Sequence, residues 1–375
     1  MPWKETSLVS TREEFIRLAL TEGANLSQLC KRFSISRKTA YKWIAVFRSQ
    51  GPGSLEDRSR KPHSSPYRVS DEVEKLIMDA AEEHQAWGAR KLHTLLMRQG
   101  HAMPAVSTVQ AVLNRHGRVC LATTARSPAV GRFEHPEPND LWQMDFKQGI
   151  PCRPSDANAL TVLDDHSRYN LCLHACDDQT TETVQKALTA AFRTHGLPYR
   201  MTMDNGSPWG DPYLGHHTRL TVWLMKLGIR VSHSRPYHPQ TQGKDERFHR
   251  TLKVELLQLN HYDSLQHAQF SFDQYRQKYN TVRPHEGIGM LTPIERYRPS
   301  PRAFPEILPT IEYNSTDQVR KVSPRHCISY KGNTLHIGGA FRGEFVAIRP
   351  TDNEHVIAVY FGTHLIHTFD ISIHQ

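Results

Sequence analysis

The apolar positions recur at helical spacing over the first third of the chain, and the pattern then changes to alternating strand-like runs. Within residues 1–50, Phe15, Leu18 and Ala19, then Leu26, Leu29, Cys30 and Phe33, then Ala40, Ile44 and Phe47 predict three short helices. Ser10-Thr-Arg-Glu13 has capping-box form, and Asn25 and Ser36 stand where the second and third helices need an N-cap. Residues 51–69 are rich in Pro, Gly and Ser and carry no apolar period, so they read as a linker. Helical spacing returns over 70–118. Ser70 can cap a helix with Val73, Leu76, Ile77 and Ala80 on one face, residues 88–100 form a second, and Ser107 begins a third that Gly117 ends.

From about residue 136 strands and helices alternate, which predicts a mixed α/β core over 136–300. Strand candidates lie at 140–148, 159–169, 170–178, 199–206 and 229–234, with helices at 180–196, 216–228 and 240–258. Residues 311–372 are β-rich with Gly332, Gly338, Gly339, Gly343 and Gly362 as turn signals, a pattern that predicts a small β-barrel. The expected architecture is thus multidomain: all-α units at 1–50 and 70–118, an α/β core, and a C-terminal barrel.

Charge sharpens the picture of the N-terminal part. The 375 residues carry a net charge of +9, and residues 1–135 hold 21 Lys and Arg against 13 Asp and Glu, whereas the remainder holds 26 against 25. Two helices, a tight turn and a basic helix exposing Arg37, Lys38 and Lys42 make a helix-turn-helix pattern, in which the last helix enters the major groove of double-stranded DNA. The 70–118 unit has the same form, and two such units can read a longer DNA end than one. Arg58, Arg60 and Lys61 of the linker are candidates for phosphate contact. The six cysteines are scattered with no C-x-x-C pair, and no stretch is apolar enough to span a bilayer, so a soluble protein of the reducing cytosol without a membrane partner is expected. No Cys and His fall at zinc-finger spacing.

Three acids stand out in the α/β region. Asp145 follows apolar residues in the first strand, Asp204 closes the fourth strand just before Gly206, and Glu246 lies on the long helix. Arg250 and Lys253 share the face of Glu246, while Phe248, Leu252 and Leu256 make a different face suited to packing on the sheet. Carboxylates that converge repel unless cations join them. Two divalent ions roughly 3.5–4 Å apart relieve that conflict and serve an in-line displacement at phosphorus. Hard oxygen donors suit Mg²⁺, with Mn²⁺ as a plausible substitute.

The residues around these acids are more specific than their spacing. Trp142-Gln-Met-Asp145, Leu163-Asp-Asp-His-Ser-Arg168, Met203-Asp204-Asn-Gly206, Pro236-Tyr-His-Pro-Gln-Thr-Gln-Gly-Lys-Asp-Glu246-Arg, His249-Arg-Thr-Leu-Lys253 and Tyr279-Asn-Thr-Val-Arg-Pro-His285 occur in order. With the helical N-terminus and the β-rich C-terminus, the sequence resembles the insertion-sequence transposases that share a catalytic core with retroviral integrases. That resemblance implies a ribonuclease-H-like fold and an aspartate–aspartate–glutamate triad at Asp145, Asp204 and Glu246. It also implies an enzyme that binds an element's terminal repeats, hydrolyses phosphodiester bonds and transfers 3′-hydroxyl ends to target DNA as a homo-oligomer. The stretch from Asp204 to Glu246 is longer than in retroviral integrases, with extra residues around 210–220.

Neighbouring residues receive secondary assignments. Lys244, Arg250 and Lys253 are expected on phosphates near the cut. His238 and Gln240 belong either to a loop that positions a DNA end or to a cap for the helix. Asp164, Asp165, Arg283 and His285 are read as structural and Trp142 and Trp209 as packing residues; Asp245 points roughly a third of a turn from Glu246, off the face of Arg250 and Lys253, so Glu246 is preferred as the third acid. Two other functions stay open at this stage: a structure-selective nuclease on the same core, and a DNA-binding regulator with a decayed one.

Overall fold

Asn25 and Ser36 both act as N-caps: Asn25 Oδ1 accepts the N–H of Gln28 at 3.1 Å and Ser36 Oγ that of Thr39 at 3.1 Å. They start α2 (Leu26–Arg32) and α3 (Arg37–Gln50), which close on α1 (Leu8–Ala19) around Phe15, Ile16, Cys30, Ala40 and Leu55. The computed structural model describes residues 8–55, 68–118, 134–210, 217–233 and 243–372. Linker residues Arg58, Arg60 and Lys61, the loop residues His238 and Gln240, and positions 211–216 of the extra stretch lie outside them. Helix α1 is already formed at Leu8, so Ser10 sits inside it and the expected capping box does not start it. The chain divides into two compact units, Met1–Arg68 and Val69–Gln375.

The second unit opens with α4 (Asp71–Glu83), α5 (Ala89–Arg98) and α6 (Val106–Arg115), packed about Ile77, Leu92, Leu96, Val109 and Val112. Ser70 caps α4 by accepting from Val73 N–H at 3.4 Å. Ala105, not Ser107, precedes α6, which therefore begins without a side-chain cap. Arg98 ties this unit to the core through Glu295 at 2.9 Å and the Met290 carbonyl at 3.3 Å.

The core is a five-stranded mixed sheet in the order β3-β2-β1-β4-β5. Strands β1 (Trp142–Ile150), β2 (Ala157–Asp164) and β3 (Asn170–Cys176) are antiparallel, and β4 (Arg200–Met203) and β5 (Arg230–His233) run parallel to β1. Period-two alternation sorts the side chains. Trp142, Met144, Phe146, Leu160, Val162, Met201 and Met203 pack with α7 (Thr181–His195) and α8 (Arg219–Lys226). Ala159, Leu163, Leu173 and Ala175 pack on the other side with α9 (Gly243–Leu252) and α10 (Leu265–Thr281), through Phe248, Leu252, Phe272 and Tyr279. The long helix expected over 240–258 changes to a π-helical turn at Lys253–Leu257.

Strand β3 is an edge, and α10 covers it with polar side chains. Gln269 accepts from Ala175 N–H at 2.8 Å and donates to the Leu173 carbonyl at 3.1 Å. Arg276 donates to the Leu171 carbonyl at 3.1 Å, and Asn280 exchanges two hydrogen bonds with the backbone of Asn170.

After the short α11 (Pro293–Arg296) the C-terminal strands are β6 (Gln318–Lys321), β7 (Cys327–Tyr330), β8 (Asn333–His336), β9 (Phe345–Pro350), β10 (Val356–Phe361) and β11 (His364–Asp370). They form a small antiparallel domain, a sheet ordered β11-β10-β9-β6 beside a β7–β8 hairpin, over an apolar core shared with Val222 and Met225 of α8. No strand pair among the described residues joins β6 to β11, so the sheet is open where a closed barrel was expected. No helix of the described residues is long and apolar enough to cross a membrane.

Candidate active site

Strand alternation decides where the acids point. Met144 and Phe146 face α7 and α8, so Asp145 between them faces the α9 side of the sheet. Met201 and Met203 likewise face α7 and α8, which turns Thr202 and Asp204 to the α9 side. Trp142 pairs with Met201 and Gln143 with Thr202 in the parallel β1–β4 ladder, and Asp204 follows just past the end of β4 at Met203. Helix α9 crosses this face, gripped by Phe248 and Leu252, and carries Glu246 exposed.

The three acids share one electrostatic neighbourhood. Burial lifts the Asp145 carboxyl from the usual 3.8 to about 6; the N–H of Phe146 opposes the lift, and the negative charges of Asp204 and Glu246 add to it. Phe146 N–H lies 2.8 Å from Asp145 Oδ1. Asp204 Oδ1 accepts from Gly206 N–H at 2.9 Å and from Trp209 Nε1–H. A Cβ at Gly206 would lie 3.3 Å from both Asp204 carboxylate oxygens, so a larger residue there would make the Asp204 carboxylate give way slightly. Among the described residues no three His, Cys, Asp or Glu side chains stand close enough together to hold a metal ion. The donors fit a hard divalent cation in chemistry: three carboxylate groups, one of them raised above the usual carboxylate range by burial first and then by the charges of the other two.

Beneath them is a buried polar group around Asp245 whose partners, Thr161 and His249, sequence reasoning missed. Asp245, 0% exposed, lies 3.5 Å from Thr161 Oγ1, and among the described residues its Oδ2 has no hydrogen-bond partner. Thr161 Oγ1 donates to the Asp145 carbonyl at 2.9 Å and stands 2.8 Å from His249 Nε2. His249 Nδ1 is 3.7 Å from Asp145 Oδ2, and burial, reinforced by the charge of Lys147, brings this imidazole down to about 4. Asp245 and His249 are four residues apart on α9, and that spacing was the available signal for an inward polar face.

Comparison with known families accounts for most of the chain. Integrase core domain families match residues 135–239 and 227–293. A Helix-turn-helix domain family matches 11–63, a Homeodomain-like domain family 39–113, and the family described as IS481 family transposase, C-terminal domain, matches 317–375. Together these families and the relatives below support an insertion-sequence transposase with an integrase core. The uncharacterized 31.7 kDa protein of insertion element IS407 from Burkholderia multivorans is 23% identical, over 76% of this chain and 100% of that protein. The uncharacterized 39.2 kDa protein of insertion element IS476 from Xanthomonas euvesicatoria is 22% identical, over 73% and 78%. The transposase for transposon Tn552 of Staphylococcus aureus is 22% identical, over 88% and 76%.

The cations expected on DNA occupy different settings. Arg37, Lys38 and Lys42 are exposed on α3, and Arg250 and Lys253 are exposed on α9 and its π-helical continuation. Lys244 differs: its ammonium group is ion-paired with the buried carboxylate of Asp165. Arg283 and His285 are buried, as expected of structural residues. Trp209 does more than pack. Its ring stacks on Phe146 at 5.1 Å while its N–H holds Asp204. Trp209→Phe keeps the stack and removes the donor, so it is expected to slow single-turnover DNA end cleavage by about tenfold with little change in melting temperature. An unchanged rate would reduce Trp209 to the packing role.

Proposed function

We propose that this transposase binds the ends of its element, hydrolyses a phosphodiester bond at each end, and transfers the resulting 3′-hydroxyl groups to target DNA. Asp145, Asp204 and Glu246 are the residues that would hold two Mg²⁺ ions, or Mn²⁺ in their place. Such ions, when bound, activate an attacking oxygen and stabilise a leaving one at phosphorus. The observation that supports this reading is that strand alternation turns Asp145 and Asp204 to the face of the sheet crossed by α9, which carries Glu246; burial first, and then the charges of these two acids, raise the Asp145 carboxyl.

The chain's own residues prepare the chemistry. Trp209 and Gly206 fix one oxygen of Asp204 and leave the other for a ligand. Arg250 and Lys253, exposed beside Glu246, are placed to hold phosphates of the cut strand. Arg37, Lys38 and Lys42 on α3 serve end recognition in the major groove, and the α4–α6 unit extends the footprint. Handling two ends together calls for a homo-oligomer on DNA.

The experiment is incubation of the purified protein with duplexes bearing the element ends, a target plasmid and Mg²⁺. Nicked ends and joined products are expected from the natural chain, and neither from Asp204→Ala, which retains end binding. Cleavage without joining would make the protein a nuclease, and binding without metal-dependent cleavage would make it a regulator.

A further inference from the structure

Asp165 lies just past β2, is 1% exposed, and has both carboxylate oxygens engaged by separate parts of the chain. Gln143 of β1 donates to Oδ1 at 2.8 Å, and the backbone N–H of His135 donates to Oδ2 at 2.9 Å. Lys244, in the first turn of α9, ion-pairs with Oδ1 and reaches the Asp165 carbonyl at 3.3 Å. The N–H of Asp165 itself donates to the Leu141 carbonyl at 2.9 Å. Gln143 is two residues before Asp145, and Lys244 is two residues before Glu246.

We propose that Lys244 and Asp165 are positioning residues, a buried latch that fastens the first turn of α9 to β1 and thereby sets Glu246 against Asp145. The inference deepens the proposed function and rests on it. The first turn of a helix lacks intrahelical partners for its N–H groups and is where helices fray. The apolar grip on α9 comes from Phe248 and Leu252, both after Glu246. The turn that carries Glu246 is held by Lys244 on Asp165 and by Asp245 against Thr161. An ammonium group engaged with a buried carboxylate is not free for DNA, because drawing it off would leave Asp165 buried and uncompensated. The sequence reading of Lys244 as a phosphate contact is thereby replaced by a role inside the protein.

The test uses the full chain and the variants Lys244→Met, Lys244→Arg, Asp165→Asn and the Lys244→Met/Asp165→Asn double, each checked for folding by thermal melting. Three quantities are read: metal-free affinity for end DNA across a salt series, the Mg²⁺-dependent cleavage rate at saturating DNA, and Mn²⁺ binding without DNA by electron paramagnetic resonance. Lys244→Met and Asp165→Asn are each expected to lower the saturated rate and the Mn²⁺ affinity by about 10–100-fold. End affinity and its salt slope stay at the natural values, the double variant is no worse than either single, and Lys244→Arg recovers most of the loss. A salt slope reduced by about 0.9 in Lys244→Met with an unchanged saturated rate would overturn the latch and restore a phosphate contact. Natural rate and Mn²⁺ affinity in Asp165→Asn would overturn it too, and that variant decides the matter if Lys244→Met does not fold. A natural chain that binds Mn²⁺ but does not cleave refutes the proposed function, while weaker Mn²⁺ binding by Lys244→Met still upholds the latch.

Discussion

Glu246→Gln is expected to lower Mg²⁺-dependent end cleavage by about 10³-fold, equivalent to roughly 4 kcal/mol of transition-state stabilisation, while Asp245→Asn lowers it less than about threefold. The two acids are adjacent in sequence, so each controls for the other. Glu246 is exposed on the α9 face that also carries Arg250 and acts on the Asp145 carboxyl through its charge. Glutamine preserves its shape and deletes the negative oxygen that a cation would need. Asp245 is wholly buried, and burial, then the charge of Asp145, push its carboxyl well above the usual carboxylate range. A carboxyl that keeps its proton against Thr161 is close to an amide in shape and charge, so asparagine fits the same place. Single-turnover cleavage of labelled ends at saturating metal, with binding of the same ends as the control, makes the comparison. Equal losses in the two variants would sink the assignment of Glu246 as the third acid.

That contrast shows where the sequence was readable. Asp145, Asp204 and Glu246 stand out in the sequence through the motifs around them, which resemble those of transposases, and each also has a local reason: a carboxylate in an apolar strand, a strand end before glycine, and a helix face aligned with cations. Helix starts at Asn25, Ser36 and Ser70 were legible because a cap is a local chemical event. What stayed hidden depends on contacts distant in sequence. Lys244 looks like a surface cation until Asp165, 79 residues away, is placed beside it. Trp209 reads as a packing residue because nothing in its neighbourhood shows that its N–H reaches Asp204. The C-terminal barrel failed for a related reason. Glycine spacing marks where strands turn, but closure depends on which edges pair, and β6 and β11 remain separate edges.

The same dependence on distant partners makes Arg283→Met the substitution with the largest expected effect on stability, a loss of about 3–5 kcal/mol. Arg283 and Glu255 have side chains 8% and 10% exposed, and Arg283 Nε lies 2.8 and 2.9 Å from the two carboxylate oxygens, with Nη2 2.8 Å from Oε1. Tyr275 adds a hydroxyl donor to Glu255 at 3.3 Å, and the ring of Tyr279 lies 5.6 Å from the guanidinium carbon. Without Arg283 the Glu255 carboxylate would remain buried with one weak donor. Lys91 of α5 offers partial relief: burial, together with the positive charge of Arg283, brings it down to about 8, and removing Arg283 lets it hold its proton more firmly. The loss therefore belongs at the lower end of the range. Arg283→Met combined with Glu255→Leu should recover most of it, since an apolar pair of similar volume leaves no charge uncompensated. Urea unfolding followed by tryptophan fluorescence measures both variants. A single variant within about 1 kcal/mol of the natural chain would mean that Glu255 finds water or Lys91 without cost. Glu255 sits in the π-helical turn that continues α9, so the pair holds the far end of the helix whose first turn is fastened by Lys244. Cleavage by folded Arg283→Met protein is accordingly expected to fall as well, because an α9 held at one end only cannot keep Glu246 in place.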